Sequence, residues 1–164
     1  MLRIIRSMKE LDFAGLMEVY IEGNRENGAD HYPGETQSRQ MFLAEQDFHQ
    51  YLRECFFPTE GAFYAVWQQS GKYVSALRME PYRDGLLLAA LETAPEQRCR
   101  GYACDLIRAT FAQLKDVKVY AHVSKGNIPS LKTHQKCGFR RILEYAVYAD
   151  GSVMSSSCTM YYEI

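Results

Sequence analysis

The chain has 164 residues, of which 47% are hydrophobic and 24% are charged, and its formal net charge is −1. This mixture is typical of a soluble globular domain and excludes a disordered chain. The length corresponds to about one domain, which we assign to residues 1–164. Because the charges nearly cancel, the composition gives no reason to expect nucleic acid or an anionic membrane as a partner.

The five cysteines are scattered along the chain, and none forms a C-x-x-C pair. Neither a disulfide framework nor a zinc site is predicted, so we expect no metal ion. Free thiols fit a reducing compartment, which favours a cytoplasmic location. The longest aliphatic run, Leu86–Leu91, is far too short to span a membrane, and charged residues interrupt the N-terminal segment where a signal peptide would be apolar.

The first third of the chain alternates between apolar periodicity and turn residues. Its pattern predicts a strand at Leu2–Arg6, a helix at Leu11–Tyr20, a loop at Gly28–Thr36 and a helix at Gln37–Cys55. The S-x-x-E pattern of Ser7–Glu10 is typical of a capping box at the start of the first helix. We expect Gly23 to end that helix.

The middle of the chain predicts antiparallel strands. A hairpin is expected from Ala62–Gln68 and Lys72–Glu80, joined by a turn at Ser70-Gly71. After a second turn at Asp84-Gly85, the continuous apolar character of Leu86–Thr93 indicates a strand covered on both faces.

The last part of the chain returns to alternating elements. Its pattern predicts a helix at Ala103–Leu114, a strand at Val117–Val123, a helix from Pro129 to Cys137 ended by Gly138, and a closing hairpin of Phe139–Tyr148 and Ser152–Tyr162. The sum is an α/β (α+β) fold, with a mixed sheet of six or seven strands and about four helices. One right-handed parallel crossover is expected in the middle.

The segment Arg98-Cys99-Arg100-Gly101-Tyr102-Ala103 joins the apolar strand to an amphipathic helix. The first N–H groups of a helix have no internal partner and lie at the positive end of its dipole, so they can bind phosphate. Gly101 and Ala103 are small enough for close approach, and Arg98 and Arg100 add positive charge for a diphosphate. The alternative is an ordinary turn with a solvated arginine pair.

A second segment, residues 127–139, follows the next strand and spans a short helix. Together the two segments resemble the GNAT superfamily of N-acetyltransferases. The first fits Q/R-x-x-G-x-G/A through Arg98, Gly101 and Ala103, and the second fits N-x-x-S/A-x-x-x-Y-x-K-x-G-F through Asn127, Ser130, Lys136, Gly138 and Phe139. His134 stands at the tyrosine position. The resemblance covers about Leu86–Tyr148.

This resemblance implies a GNAT-like, mostly antiparallel central sheet in which Leu86–Thr93 and Val117–Val123 form a splayed parallel pair. Acetyl-CoA would lie in the gap between them, with its pantetheine arm paired along Leu91–Thr93. The amide of Thr93 would face the thioester oxygen as an oxyanion hole does. The diphosphate would be held by the backbone amides of Cys99, Arg100, Gly101, Tyr102 and Ala103. Asn127 and Ser130 would contact the pantetheine or position its loop, although both residue types also favour helix caps.

The implied reaction is direct attack of a primary amine on the thioester. Such an amine arrives mostly protonated, so a base must accept a proton from it. The family's usual acid is a tyrosine, so His134 either donates a proton to the leaving sulfur or only touches the cofactor. Three residues are candidates for the base. Glu92 lies in the apolar strand, Glu80 ends the preceding strand, and His122 lies on the other splayed strand. Each could instead be solvated or structurally satisfied.

The acceptor is expected to be a small-molecule or peptide amine, bound between the first helices, their loop and the final hairpin. Candidate lining residues are His31, Tyr32, Glu35, Tyr64, Tyr82, Tyr145 and Tyr148. The alternative is a catalytically silent acyl-CoA-binding module, and a third reading is a transferase for a longer acyl group or an alcohol. By analogy the closing strands are candidate edges of a homodimer.

Overall fold

Two β-sheets organise residues 1–163, the part of the chain that the computed structural model describes; Ile164 lies outside it. The strands are β1 (Leu2–Ile5), β2 (Phe63–Gln69), β3 (Lys72–Tyr82), β4 (Gly85–Thr93), β5 (Lys118–Ser124), β6 (Arg140–Leu143), β7 (Ala146–Val147), β8 (Val153–Met154) and β9 (Ser157–Glu163). Seven of them form one sheet in the order β1-β2-β3-β4-β5-β9-β6, and β7 and β8 form a separate pair. The β4–β5 pair is parallel and its neighbours are antiparallel, which confirms the predicted mixed sheet.

The described residues form five α-helices, where about four were expected. They are α1 (Phe13–Val19), α2 (Ile21–His31), α3 (Gln37–Tyr51), α4 (Tyr102–Phe111) and α5 (Ile128–Lys136). A single π-helical turn, Leu52–Phe56, continues α3. Helices α4 and α5 pack on one face of the sheet over the largest apolar cluster, and α1 and α3 pack on the other over a second cluster around Tyr64.

The predicted start and end of the first helix were both wrong. Ser7–Glu10 forms a turn, and α1 begins at Phe13 because the Asp12 side chain accepts a hydrogen bond from the amide of Gly15. The chain then continues into α2 straight through Gly23 and Gly28. Neither glycine ends the helix. Both lie at close contacts instead, because an added Cβ would be 2.8 Å from the Glu92 side chain at Gly23 and 2.6 Å from the Gln40 backbone at Gly28.

Two further expectations need correction. Leu86–Thr93 is not covered on both faces: Leu88 is its only fully buried residue, because β4 loses its β5 neighbour beyond that point. The closing hairpin is also divided, so that its tip forms β7 and β8 while β9 lies inside the main sheet between β5 and β6. Of the two closing strands β6 and β9, only β6 lies at an edge of the sheet.

The contact between α2 and α3 generates a test of the fold. A Cβ at Gly28 would lie 2.6 Å from the backbone oxygen of Gln40, so Gly28→Ala must push the two helices apart. We expect a net loss of about 1–2 kcal/mol in the free energy of unfolding, because overpacking outweighs the gain in helix propensity. Chemical denaturation measures this loss.

The matched control is Gly34→Ala, in the loop between the same helices, where an added Cβ meets nothing within 4 Å. We expect this variant to keep the stability of the wild type. Equal stabilities for Gly28→Ala and Gly34→Ala would contradict the close approach of α2 and α3.

Candidate active site

Strands β4 and β5 separate along their length. They pair only at Leu86–Val119, Leu87–Tyr120 and Leu88–Ala121, although β4 continues to Thr93 and β5 to Ser124. A bulge at Ala90, whose φ is +49°, shifts the register of β4 against β3 just beyond the last pair. A left-handed alanine costs free energy, so the surrounding structure must hold this bend in place. The two strands therefore leave an open edge along residues 89–93.

The backbone of Thr93 faces this opening. Ala94 donates its amide to the oxygen of Val74, so Ala94 and Val74 are a hydrogen-bonded pair of the antiparallel ladder. Pairs alternate along such a ladder, and Thr93 with its partner Ser75 is thus a non-hydrogen-bonded pair. The N–H and C=O groups of Thr93 therefore point away from β3 and towards the gap. Leu91, two residues earlier, packs its side chain against the core beneath α4.

The turn before α4 contains two residues with left-handed backbone conformation. Cys99 and Gly101 have φ angles of +61° and +87°, and they flank Arg100. Such alternation of left-handed and other backbone conformations forms a concave nest of N–H groups that can bind an anion. Gly101 is the N-cap of α4 and supplies no side-chain cap, so the first amides of the helix, from Tyr102 and Ala103, are left without one.

The arginines of this turn differ in their contacts. Arg98 donates from Nε to the oxygen of Thr93 at 3.2 Å, and its Nη2 lies 2.7 Å from Oε2 of Glu22. It therefore links the end of β4 to α2 rather than extending over the nest. Arg100 is exposed beside the nest.

The second motif surrounds the start and end of α5. Asn127 caps the helix by accepting a hydrogen bond from the amide of Ser130 at 3.1 Å, which is the structural alternative considered above. Gly138 lies just past the helix at φ +95°, and the next residue, Phe139, donates its amide back to the oxygen of His134. This is the expected C-terminal glycine cap.

His134 is 2% exposed, and its ring packs edge-on against Phe139. Its Nδ1 lies 2.8 Å from the carbonyl oxygen of Ser130, which can only accept a hydrogen bond, so Nδ1 carries the proton. Burial lowers the pKa of His134 from its ordinary value and thus favours the neutral ring. Nε2 is then an unprotonated acceptor, and it is buried without a partner among residues 1–163.

A cavity of about 360 Å³ opens between α2, α3, the middle of β3 and the second half of β4. Of the lining residues expected from the sequence, His31 and Tyr32 lie here. Glu35, Tyr64, Tyr82, Tyr145 and Tyr148 do not line it. The cavity walls that the sequence did not single out include Tyr20, Asn24, Asp47, Phe48, Tyr51 and Arg78. A charged Arg78 between the apolar residues Leu77 and Met79 was the one available signal.

Glu92 lies at the wall of this cavity, beside the open edge of β4. Burial raises the pKa of its carboxyl group to about 7, the nearby Arg98 lowers it, and Glu22 and Glu26 raise it further. A Cβ at Gly23 would lie only 2.8 Å from Oε1 of Glu92, so the glycine allows the carboxylate to lie against α2. A carboxyl group with this pKa can gain or lose a proton near neutral pH.

The other two candidate bases lie elsewhere. Glu80 lies on β3 with Oε1 3.3 Å from Nε of Arg78, and it does not line the cavity. His122 lies on β5 between the rings of Tyr82 and Tyr148, at centroid distances of 5.3 and 5.2 Å. Burial and then Arg83 lower the pKa of His122, and neither ring nitrogen has a partner within residues 1–163.

Residues 1–163 contain no group of three or more histidine, cysteine, aspartate or glutamate side chains that could hold a metal ion. The same residues include no helix of the length and apolar character needed to cross a bilayer.

Comparison with known proteins agrees with this geometry. Residues 26–139 match the family model described as the acetyltransferase (GNAT) family. No protein of curated function matches the chain. Because the family model covers more than half of the sequence, the chain belongs to the GNAT family of acetyltransferases.

Solved structures share the fold across the whole chain. The PaiA N-acetyltransferase of Thermoplasma acidophilum, in complex with coenzyme A, has a TM-score of 0.67 at 13% identity, with 100% of this chain and 99% of that chain covered. The ribosomal-protein-S18-alanine N-acetyltransferase of Escherichia coli has a TM-score of 0.62 at 17% identity and 100% and 94% coverage. The IAA acetyltransferase of Bacillus cereus has a TM-score of 0.60 at 15% identity and covers both chains fully.

Acetyltransferases of this family use acetyl-CoA as co-substrate. The residues present fit that molecule: the nest at Cys99–Gly101 offers amides to an anion, and the outward-facing backbone of Thr93 offers hydrogen bonds to an extended arm. No metal or further group is needed for either contact.

If the nest binds the diphosphate, a side chain added at Gly101 should block the binding of acetyl-CoA. Its φ of +87° strains any substitution, but a Cβ there meets nothing within 4 Å, so Gly101→Glu can fold while placing a carboxylate among the amides. We expect a loss of acetyl-CoA affinity of at least about 100-fold, since the variant adds charge repulsion and fills the concavity. Isothermal titration calorimetry measures the affinity.

Gly71→Glu is the matched control. Gly71 has φ +81° and equally open surroundings, but it lies in the β2–β3 turn, so this variant carries the same strain and charge away from the nest. We expect it to bind acetyl-CoA like the wild type. Unchanged binding by a folded Gly101→Glu protein would remove the nest from the cofactor site.

Proposed function

We propose that this protein transfers the acetyl group of acetyl-CoA to a primary amine of a small molecule or peptide, by direct attack within a ternary complex. The observation that carries the proposal is the position of Glu92. It lines the acceptor cavity, and its neighbour Thr93 turns its backbone towards the gap between β4 and β5. A titratable carboxyl group and the free strand edge are thus one residue apart.

Different groups of the chain bind different parts of acetyl-CoA. The amides around Cys99–Gly101 hold the diphosphate, and the β4 edge from Leu91 to Thr93 pairs with the pantetheine arm. Asn127 and Ser130 keep α5 in position beside that arm, because they cap its first turn. Arg98 acts indirectly: its bonds to Glu22 and to the Thr93 oxygen fix the end of β4.

Glu92 acts as the general base. An amine binds mostly as the ammonium ion, and the Glu92 carboxylate accepts its proton, directly or through one water molecule. The neutral nitrogen then forms a bond to the thioester carbon while the bond from carbon to sulfur breaks. The Thr93 amide donates a hydrogen bond to the charge that develops on the thioester oxygen. The nitrogen loses its second proton to water as the amide forms, and the released thiolate takes one proton from solvent. The proton first accepted by Glu92 is then the one net proton released.

His134 supports this reaction in its neutral form. A proton on Nε2 would require the imidazolium ion, because Nδ1 already carries the proton shared with Ser130. The lowered pKa makes that ion a minor species at neutral pH. A thiol is a tolerable leaving group with a pKa near 8.5, so departure without a strong acid is feasible. We propose that His134 shapes the site and offers an acceptor at Nε2.

A silent acyl-CoA-binding module is the second candidate, favoured only by the absence of the family's tyrosine at position 134. Release of free thiol from acetyl-CoA in the presence of a panel of amines separates the two functions. We also propose a cytoplasmic location, supported by five cysteines that are all free thiols.

The role of Glu92 predicts a change in the pH profile. The wild-type kcat should rise with pH through about 7 as Glu92 ionises. Glu92→Gln should lower kcat by about 100-fold or more and remove that limb, because general-base catalysis typically contributes factors of this size. Steady-state kinetics between pH 5.5 and 9 measures both effects.

The pH dependence of thermal stability tests the burial of the Glu92 carboxyl group independently of catalysis. The folded-state pKa is raised above the unfolded value, so ionisation of Glu92 destabilises the fold as pH rises from about 4.5 to 7. Glu92→Gln should therefore raise Tm more at pH 8 than at pH 5.

The matched control is Glu26→Gln, which removes a charge that raises the pKa of Glu92. This variant should keep kcat and move the limb to lower pH. A Glu92→Gln enzyme with wild-type kcat and an unchanged limb would exclude Glu92 as the base and leave His122 and Glu80 as the candidates.

A further inference from the structure

Arg78 is a largely buried cation on β3, with its side chain 18% exposed. Its neighbours Leu77 and Met79 are fully buried. Its guanidinium lies over the rings of Tyr51 and Phe56, at 5.1 and 5.7 Å from their centroids. A charge in such surroundings is costly unless it is paired and hydrogen-bonded.

The pairing of Arg78 within the chain is incomplete. Its Nε lies 3.3 Å from Oε1 of Glu80, but the two groups are not aligned for a hydrogen bond. Among residues 1–163, both of these atoms are buried without a hydrogen-bond partner, and so is the hydroxyl of Tyr64, which lies directly opposite Arg78 on β2. The Nε atom of this guanidinium and two neighbouring oxygens, one from Glu80 and one from Tyr64, are therefore unpaired.

This guanidinium also lines the cavity that Glu92 lines. Ala76 lies opposite Glu92 in the β3–β4 ladder, and Arg78 is two residues further along the same face of β3. The bulge at Ala90 interrupts the ladder between these positions, so Arg78 and Glu92 share one face of the sheet without being regular cross-strand neighbours. Two long side chains of opposite charge can then approach one small molecule from two sides.

We infer that Arg78 binds a carboxylate of the acceptor, so that the substrate class is an amino acid with an apolar side chain, held by Arg78 at the carboxylate and by Glu92 at the amine. This inference rests on the proposed function. A guanidinium matches a carboxylate in shape and charge. An amine without an acidic group would make no such contact with the guanidinium.

Three of the remaining lining residues fit the apolar part of such a substrate. They are Tyr20 and, on α3, Ala44 and Phe48. The hydroxyl of Tyr20 is already bonded to the oxygen of Ala90 at 2.6 Å, so this ring offers its apolar body. Asp47 also lines the cavity, where it accepts a hydrogen bond from the hydroxyl of Tyr32.

Matched acceptor pairs test the inference on the wild-type protein. Leucine and phenylalanine are each compared with the amino alcohol in which a hydroxymethyl group replaces the carboxylate. We expect kcat/KM to be about 10- to 100-fold higher for the amino acids, since a charge-assisted hydrogen bond to a buried group has that effect. Aminophosphonate analogues show whether any oxyanion suffices.

Arg78→Lys and Arg78→Met test the residue itself. Arg78→Lys keeps the charge and should retain part of the preference, whereas Arg78→Met should bring the ratio within each pair to about 1. The control is Arg39→Met, which removes an exposed arginine that lies over the Phe42 ring outside the cavity. It should keep the wild-type ratio. Thermal denaturation verifies that each variant is folded.

The outcomes separate this inference from the proposed function. Transfer to both members of each pair at equal rates would overturn the carboxylate subsite and leave the acetyltransferase standing. Transfer to no amine would contradict the proposed function. In that case the binding of the acceptors tests the subsite. Calorimetry with coenzyme A present must still show tighter binding of leucine than of leucinol. Equal binding of the two would overturn the carboxylate subsite.

Discussion

The separation of β4 from β5 beyond Leu88 is the constraint on which the rest of the site depends. A strand inside a sheet normally bonds on both edges, and its backbone is then unavailable to a ligand. Here the bulge at Ala90 turns β4 away, and Thr93 keeps one edge free while its other neighbour, Ser75, remains in the ladder. The nest at Cys99–Gly101 follows at the end of the same strand. One bend therefore positions the groups for both ends of an extended ligand.

The same bend explains why Glu92 can be tuned towards neutral pH. It follows the bulge on the half-buried part of β4 and lies against α2, where Gly23 leaves room for its carboxylate. Burial opposes its charge, and Arg98 supplies only partial compensation because it is shared with Glu22. A carboxyl group held in this way costs stability, which is typical of a residue kept for its chemistry.

The sequence predicted the parts of the fold that local chemistry determines. Alternating apolar residues, the Ser70-Gly71 turn and the Gly138 cap identified strands, hairpin and helix end, and the two motifs identified the family. The errors lie where tertiary packing decides. Gly23 and Gly28 resemble helix breakers in isolation, yet they serve contacts with Glu92 and Gln40 that are distant in sequence. Arg78 and Tyr20 were missed as cavity walls because only the packing of α1–α3 over β3 brings them together.

Amide hydrogen exchange with and without coenzyme A tests the central claim most directly. If the free edge of β4 and the turn before α4 form the binding site, the ligand should slow exchange at Thr93 and at residues 99–104. The segment of β4 from Leu86 to Leu88 already pairs with a strand on each side and should change little. Protection that leaves Thr93 and the turn unchanged, and appears elsewhere in the chain, would contradict the account.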